Sequence, residues 1–246
     1  MKTVVLIPAR YSSSRYPGKP LVPLLGKPMI IWVAELASEA VGKENVYIAT
    51  EDSRISDVVE QAGYNFVMTS DKCLTGTDRL AEAAKQINAD IYINVQGDEP
   101  LVNPSDIQKA IDAKINDMSS IINGYCWLSE DEDPTSVNIP KVITTENDVL
   151  IYMSRCALPG FKDPQNAPKG YKKQVCIYAF SAEELKMYQS FGRKSELEFS
   201  EDIEILRFLE FGKRIQMYET TPGSLAVDVP EDVAPVEKAL QVLHKL

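Results

Sequence analysis

The sequence predicts an α/β fold on a mostly parallel central sheet, with an antiparallel β addition in the middle of the chain. Three observations carry that expectation. Short apolar runs rich in β-branched residues, such as residues 3–8 (TVVLIP), alternate with stretches of helical spacing through the first half. That rhythm belongs to right-handed βαβ units. Between about residues 128 and 180 it stops, and strand-like runs follow one another directly. A length of 246 residues fits one domain, 1–246, with this β-rich stretch as a small lobe of the kind that covers a substrate or pairs subunits.

Residues 3–8 read as a central strand buried on both faces. The next segment, residues 9–20 (ARYSSSRYPGKP), carries the cations Arg10, Arg15 and Lys19, three serines and a Pro-Gly turn. In open α/β sheets ligands sit beyond the carboxyl ends of strands, where this loop must lie, so it reads as a polyphosphate site. It is neither a G-x-x-x-x-G-K-[ST] nor a G-x-G-x-x-G loop, so side-chain charge replaces much of the backbone cradle. The bland reading is a solvated basic loop.

Residues 28–40 have helical spacing with Pro28 in the first turn, and residues 45–50 form a second strand. Asp52 caps a helix through Gln61 that Gly63 ends, and residues 64–68 are a third strand. A polar loop then enters a helix over 77–87. Gly76 and Thr77 at its start offer free N–H groups and a hydroxyl, for an anion, a nucleobase or a plain N-cap. Residues 89–95 are another buried strand, ending in Gln96-Gly97-Asp98-Glu99-Pro100. Carboxylates there suit Mg2+, which takes one or two of them plus substrate phosphates. The competing reading is a turn in which Asp98 accepts from nearby backbone donors.

A helix over 104–115 and a strand over 119–127 precede the change of character. Residues 129–134 are an acidic bend, 141–145 and 149–152 pair as a hairpin, 158–171 form a Pro/Gly/Lys-rich loop, and 174–180 are a strand. Ser181 and Glu184 make a capping box for a helix through Ser190. Residues 196–211 are expected to form one helix, with Glu198, Glu201 and Glu204 along one side, a spacing whose default meaning is a solvated face. After a strand over 214–220, Asp228 sits between Val227 and Val229 before a final helix. An unpaired carboxylate there is costly, so a metal ion or a cap is expected to partner it.

Composition narrows the chemistry. A net charge of −10 argues against a nucleic-acid binder. No apolar run is long enough to span a membrane, and the first one is short and followed at once by Arg10, so a cytoplasmic protein is expected. Four scattered cysteines form no C-x-x-C pair, and the single histidine, His244, leaves no room for a Ser-His-Asp or Cys-His system. Carboxylates, cations, hydroxyls and metal ions remain.

Seven motifs then occur in order: IPARYSSSRYPGKPL, TGTDRL, NVQGDEP, YMSR with a following LP, IYAF, LEFSEDIEILR and VDVPEDV. Together, over almost the whole chain, they resemble the CMP-Kdo synthetases (3-deoxy-manno-octulosonate cytidylyltransferases); the first and third in combination are the most specific. The resemblance implies a Rossmann-like nucleotidyltransferase fold, usually homodimeric, that uses Mg2+. It implies coupling of CTP to an eight-carbon ulosonic acid, giving the CMP-sugar and pyrophosphate for lipopolysaccharide assembly. By motif, Arg10, Arg15 and Lys19 would hold the triphosphate, and Pro8, Ala9, Thr77 and Gln96 would lie near the cytidine. Asp98 and Asp228 would coordinate Mg2+; with Arg10 and Lys19 they make up the implied catalytic set. Gln96, Arg155, Gln174, Tyr178 and Glu204 would contact the sugar acid, part of it in the lobe at 128–180, which would also pair subunits.

The chain departs from the family pattern at four places. Cys73 and Gln174 replace histidines, Cys176 a glycine and Ile205 a glutamine. Gln174 and Ile205 fall where the family contacts the sugar, which points to a variant such as the 8-amino-8-deoxy analogue. Two rival readings stand beside this one: a nucleotidyltransferase for another acidic sugar of the sialic or pseudaminic type, and a non-catalytic nucleotide-binding homologue.

Overall fold

The computed structural model describes residues 1–12 and 16–244, so Arg15 lies outside the described residues. The chain opens with β1 (Thr3–Ala9), the short pair β2 (Pro23–Leu24) and β3 (Lys27–Pro28), and α1 (Met29–Val41). Then come β4 (Val46–Thr50), α2 (Ser53–Gln61), β5 (Asn65–Met68), α3 (Gly76–Ala84), β6 (Ile91–Val95), α4 (Pro104–Asn116) and β7 (Ile121–Trp127). Next, β8 (Lys141–Thr144), β9 (Leu150–Ser154) and β10 (Lys172–Phe180) follow with no α-helix between them. The chain continues through α5 (Ala182–Ser190), α6 (Glu196–Glu201), α7 (Leu206–Glu210), β11 (Ile215–Glu219) and α8 (Val233–His244).

Among the described residues one nine-stranded sheet runs β11-β7-β10-β6-β1-β4-β5, with β8 bonded to β10 and β9 to β8. β1 pairs in parallel with both β4 and β6. The chain therefore builds outward from β1 through β4 to β5, then crosses back to lay β6 on the other side. The reversal opens a crevice at the carboxyl ends of β1 and β6. β10 is antiparallel to both β6 and β7, while β11 runs parallel to β7. This is the expected α/β fold, and β10 proves to be an internal strand of the main sheet.

Alternation along β1 explains its apolar run. Val4 and Leu6 join a core cluster with α3, α5 and α7, whereas Val5 and Ile7 join one with α1, α2 and α4. Strand β10 carries a bulge between Val175 and Tyr178. Asn123 of β7 satisfies it, its side-chain amide donating to the carbonyls of Val175 (2.9 Å) and Ile177 (3.0 Å). No helix among the described residues is long and apolar enough to cross a membrane.

One expectation fails. Residues 196–211 do not form a single helix: α6 ends at Glu201, Asp202 adopts a left-handed φ of 51°, and α7 starts at Leu206. The Arg155 guanidinium donates to the carbonyls of Glu201 and Asp202, which a continuous helix would use internally. Nor are the three glutamates a solvated row. Glu198 is fully buried against Arg207, Glu201 accepts from Tyr152, Ser154 and Arg155, and Glu204 turns to α3.

Arg207 locks this arrangement. With no exposed surface, it donates to Glu198 from Nε (2.6 Å) and Nη2 (2.7 Å) and to Asp78 of α3 from Nη1 (2.9 Å). The Tyr188 ring lies 3.6 Å from the guanidinium carbon. Removing one partner of a buried ion pair leaves charge without compensation. Arg207→Met is therefore expected to lower unfolding free energy by about 3–5 kcal/mol in urea titrations, and a loss below about 1 kcal/mol would contradict this account.

Candidate active site

Three segments distant in sequence meet at the crevice. The loop after β1 closes on itself, the Gly18 N–H donating to the Tyr11 carbonyl at 2.8 Å. Gly18 has a φ of 72° and lies against the Tyr11 ring, a conformation and a contact that suit glycine. Lys19 follows at once. Its Nζ lies 2.6 Å from Asp98 Oδ2, after β6, and 3.3 Å from Asp228 Oδ1, before α8. Gly97 lets the β6 turn approach β1, since a Cβ there would stand 2.8 Å from the Pro8 carbonyl. The Val227 N–H donates to the Asp98 carbonyl at 3.0 Å, stitching the two aspartate segments together. Asp228 is half-exposed, and the partner expected for it is met in part by the Lys19 ammonium.

Two adjoining clefts open here. The first, about 350 Å3, is lined by Pro8, Ala9, Arg10, Lys19, Gln96, Asp98 and Asp228, with Thr75, Gly76 and Arg79 opposite. The second, about 870 Å3, adds Arg155, Gln174, Cys176 and Tyr178. Arg10, Gln96, Asp98, Glu204 and Asp228 line both, so they stand at the junction. Every described residue expected at the site lines one cleft or the other, except Thr77.

Thr77 is 2% exposed, and its hydroxyl donates to Glu204 Oε2 at 2.6 Å. The N–H groups of Gly76 (2.9 Å) and Thr77 (2.8 Å) donate to the same carboxylate, while Thr75 supplies the N-cap. The helix start that read as an anion or nucleobase contact is thus occupied by the protein's own anion. Burial raises the Glu204 pKa against these donors.

Arg155 is a strut as well as a lining residue, for its guanidinium donates to the carbonyls of Glu201, Val137 (2.7 Å) and Asp202 (3.0 Å). Gln174 donates to Asn123 Oδ1 and to the Tyr178 hydroxyl, both at 3.1 Å. Burial holds the Tyr178 pKa well above its ordinary value, so that hydroxyl stays neutral. Cys73 lines the first cleft with its thiol pushed up to about 12 by burial, and it donates to Glu82. Ile205 is buried in the core and lines neither cleft.

Sequence reasoning passed over Arg79, Glu51 and Asp202, and took Glu99 only as the second carboxylate beside Asp98. Arg79 lies three residues after Gly76, on the same face of α3, a spacing that places it in the first cleft. Glu51 directly follows β4 and is open to the rule already applied to β1 and β6. Asp202 owes its place to a helix break with no local signal. Glu99 lines the second cleft, accepts from the Ser224 hydroxyl, and has a pKa raised to about 7 by burial and by Asp98.

A family profile described as Cytidylyltransferase matches residues 4–215. The chain belongs to the cytidylyltransferase family. Within it, the chain is 39% identical over 254 residues to the 3-deoxy-manno-octulosonate cytidylyltransferase of Trichlorobacter lovleyi, covering 98% of this chain and 99% of that one. It is 40% identical over 250 residues to the 8-amino-3,8-dideoxy-manno-octulosonate cytidylyltransferase of Shewanella sp. W3-18-1, with 98% and 99% covered. A solved structure of CMP:2-keto-3-deoxy-manno-octonic acid synthetase complexed with CTP superposes on this cytidylyltransferase with a TM-score of 0.91, at 34% identity and over 100% of both chains.

Because Glu204 satisfies two helix N–H groups away from solvent, Glu204→Ala is expected to cost about 2 kcal/mol of stability. Thermal and urea unfolding check this, and an unchanged midpoint would count against the cap.

Proposed function

We propose that the protein transfers a cytidylyl group from CTP to an eight-carbon 3-deoxy-ulosonic acid, 3-deoxy-manno-octulosonate or its 8-amino-8-deoxy analogue, releasing pyrophosphate. The observation that carries the proposal is the shared wall of two clefts, where Arg10, Gln96, Asp98 and Asp228 face both a nucleotide-sized space and a larger one. A sugar hydroxyl must attack the α-phosphorus in line with departing pyrophosphate. That transfer depends on positioning and on neutralising charge at the non-bridging and leaving oxygens. In this reading Arg10 and Lys19 bind the leaving phosphates, with Arg15 as a third cation. Pro8, Ala9 and Gln96 shape the cytidine end, the α3 rim at Thr75–Gly76 standing in for Thr77. Arg155, Gln174, Tyr178 and Glu204 shape the sugar end with Gln96.

The acidic pair fits a hard divalent cation. One Lys19 ammonium reaches an oxygen of both Asp98 and Asp228, so one small cation can do the same. Among the described residues no group of three or more metal-ligating side chains exists, in keeping with an ion that completes its shell from phosphate and water. Asp98 and Asp228 would hold Mg2+, which when bound neutralises phosphate charge and lowers the pKa of the attacking hydroxyl. Asp98, Asp228, Arg10 and Lys19 form the proposed catalytic set.

We assign the reaction to the cytoplasm, where CTP is made. A homodimer is proposed through the β8–β9 lobe, where the edge strand β9 presents Ile151, 53% exposed. The lipopolysaccharide pathway follows from the sugar named for the relatives.

Pyrophosphate release tests the reading, measured across four nucleoside triphosphates with 3-deoxy-manno-octulosonate, its 8-amino analogue and a nine-carbon sialic acid. Turnover is expected with CTP and an octulosonate, and a preference for the nine-carbon acid overturns the sugar assignment. Asp98→Asn is expected to retain the wild-type melting curve and lose at least about a hundredfold in kcat, as for loss of a principal transition-state charge contact. Activity near wild type in that variant would remove Asp98 from the catalytic set.

A further inference from the structure

We infer that Glu51 is a positioning residue for the phosphate-binding loop, and that it acts through the backbone N–H of Tyr11 rather than by touching a substrate. The inference rests on the CTP reading above. Glu51 leaves the carboxyl end of β4 with its side chain 12% exposed, and it lines neither cleft. One carboxylate oxygen accepts the Tyr11 N–H at 2.9 Å. The other lies 3.0 Å from Arg79 Nη1, whose side chain is 5% exposed. Arg79 is held in turn by the Thr69 hydroxyl at 2.6 Å.

The consequence follows along the chain. Tyr11 is the residue next to Arg10, and its carbonyl receives the Gly18 N–H that closes the loop immediately before Lys19. One backbone unit therefore sets where both cations begin. Glu51 ties that unit to Arg79 of α3, the opposite wall of the first cleft, so one carboxylate bridges the two walls. A second grip comes from the same strand end: the Arg54 guanidinium lies 3.3 Å above the Tyr11 ring and pairs with Asp52. Arg54 is exposed and holds the ring, whereas Glu51 is nearly buried and holds the backbone. A carboxylate that must reach from the Tyr11 N–H to the Arg79 cation depends on its length, while one that only neutralises Arg79 depends on its charge.

Glu51→Ala, Glu51→Gln and Glu51→Asp separate these roles in steady-state assays of pyrophosphate release, with CTP and 3-deoxy-manno-octulosonate varied in turn. Glu51→Ala is expected to lower kcat/KM for CTP about tenfold or more, the scale of a lost hydrogen bond to a charged group. The KM for the sugar should stay within about twofold. Glu51→Gln keeps the reach and an acceptor for Tyr11, so it should recover most of the loss. Glu51→Asp keeps the charge but is one methylene short, so it should not. A folding defect would lower kcat alone and leave both KM values in place, and the conservative pair carries the test if the alanine variant does not fold. Wild-type values in Glu51→Ala, or any ordering other than Gln well above Asp, overturns the inference. A wild-type protein that releases no pyrophosphate from CTP instead fails the underlying reading.

Discussion

A guanidinium with no exposed surface dictates much of the architecture on one side of the sheet. Arg207 cannot be buried without acceptors on every edge, and the chain supplies them from two directions, Glu198 of α6 and Asp78 of α3. Meeting both demands sets α3 against the α6–α7 pair. Glu204 is then presented to the start of α3, and Asp202 is turned toward the clefts. The cleft wall is in this sense a by-product of burying one charge.

The opposite wall depends on close approach of backbone. β1 and β6 end side by side because the sheet reverses between them, and Gly97 removes the side chain that would meet Pro8. The segment before α8 joins through a main-chain hydrogen bond to Asp98. Lys19 and Asp228, far apart in sequence, thereby become neighbours at 3.3 Å. Such a junction suits chemistry in which charge must be balanced at one point by groups from several loops.

Much of this was legible before any coordinates. The βαβ rhythm follows from alternation that any buried parallel strand must show; Arg10, Lys19 and Asp98 stand out as charge beyond strand ends, and Asp228 as a carboxylate between two valines. What could not be read depended on contacts between remote segments. LEFSEDIEILR has excellent helical spacing, and its break at Asp202 comes from Arg155, which lies in another element. Thr77 looked like a ligand contact because a helix start usually leaves its N–H groups free; only the position of Glu204 shows otherwise. Glu51 gives no local signal of its role, because its partners Tyr11 and Arg79 lie in other elements, whereas its neighbour Asp52 caps α2 from within the same turn.

The filled start of α3 bears on traffic between two reactants. CTP and a ulosonic acid are both anions, and an open helix N-terminus at the junction of their clefts would attract either one. With Glu204 seated there, the N–H groups of Gly76 and Thr77 are closed to phosphate and to sugar carboxylate alike. The fold thereby withholds that helix start from both reactants, using a single glutamate.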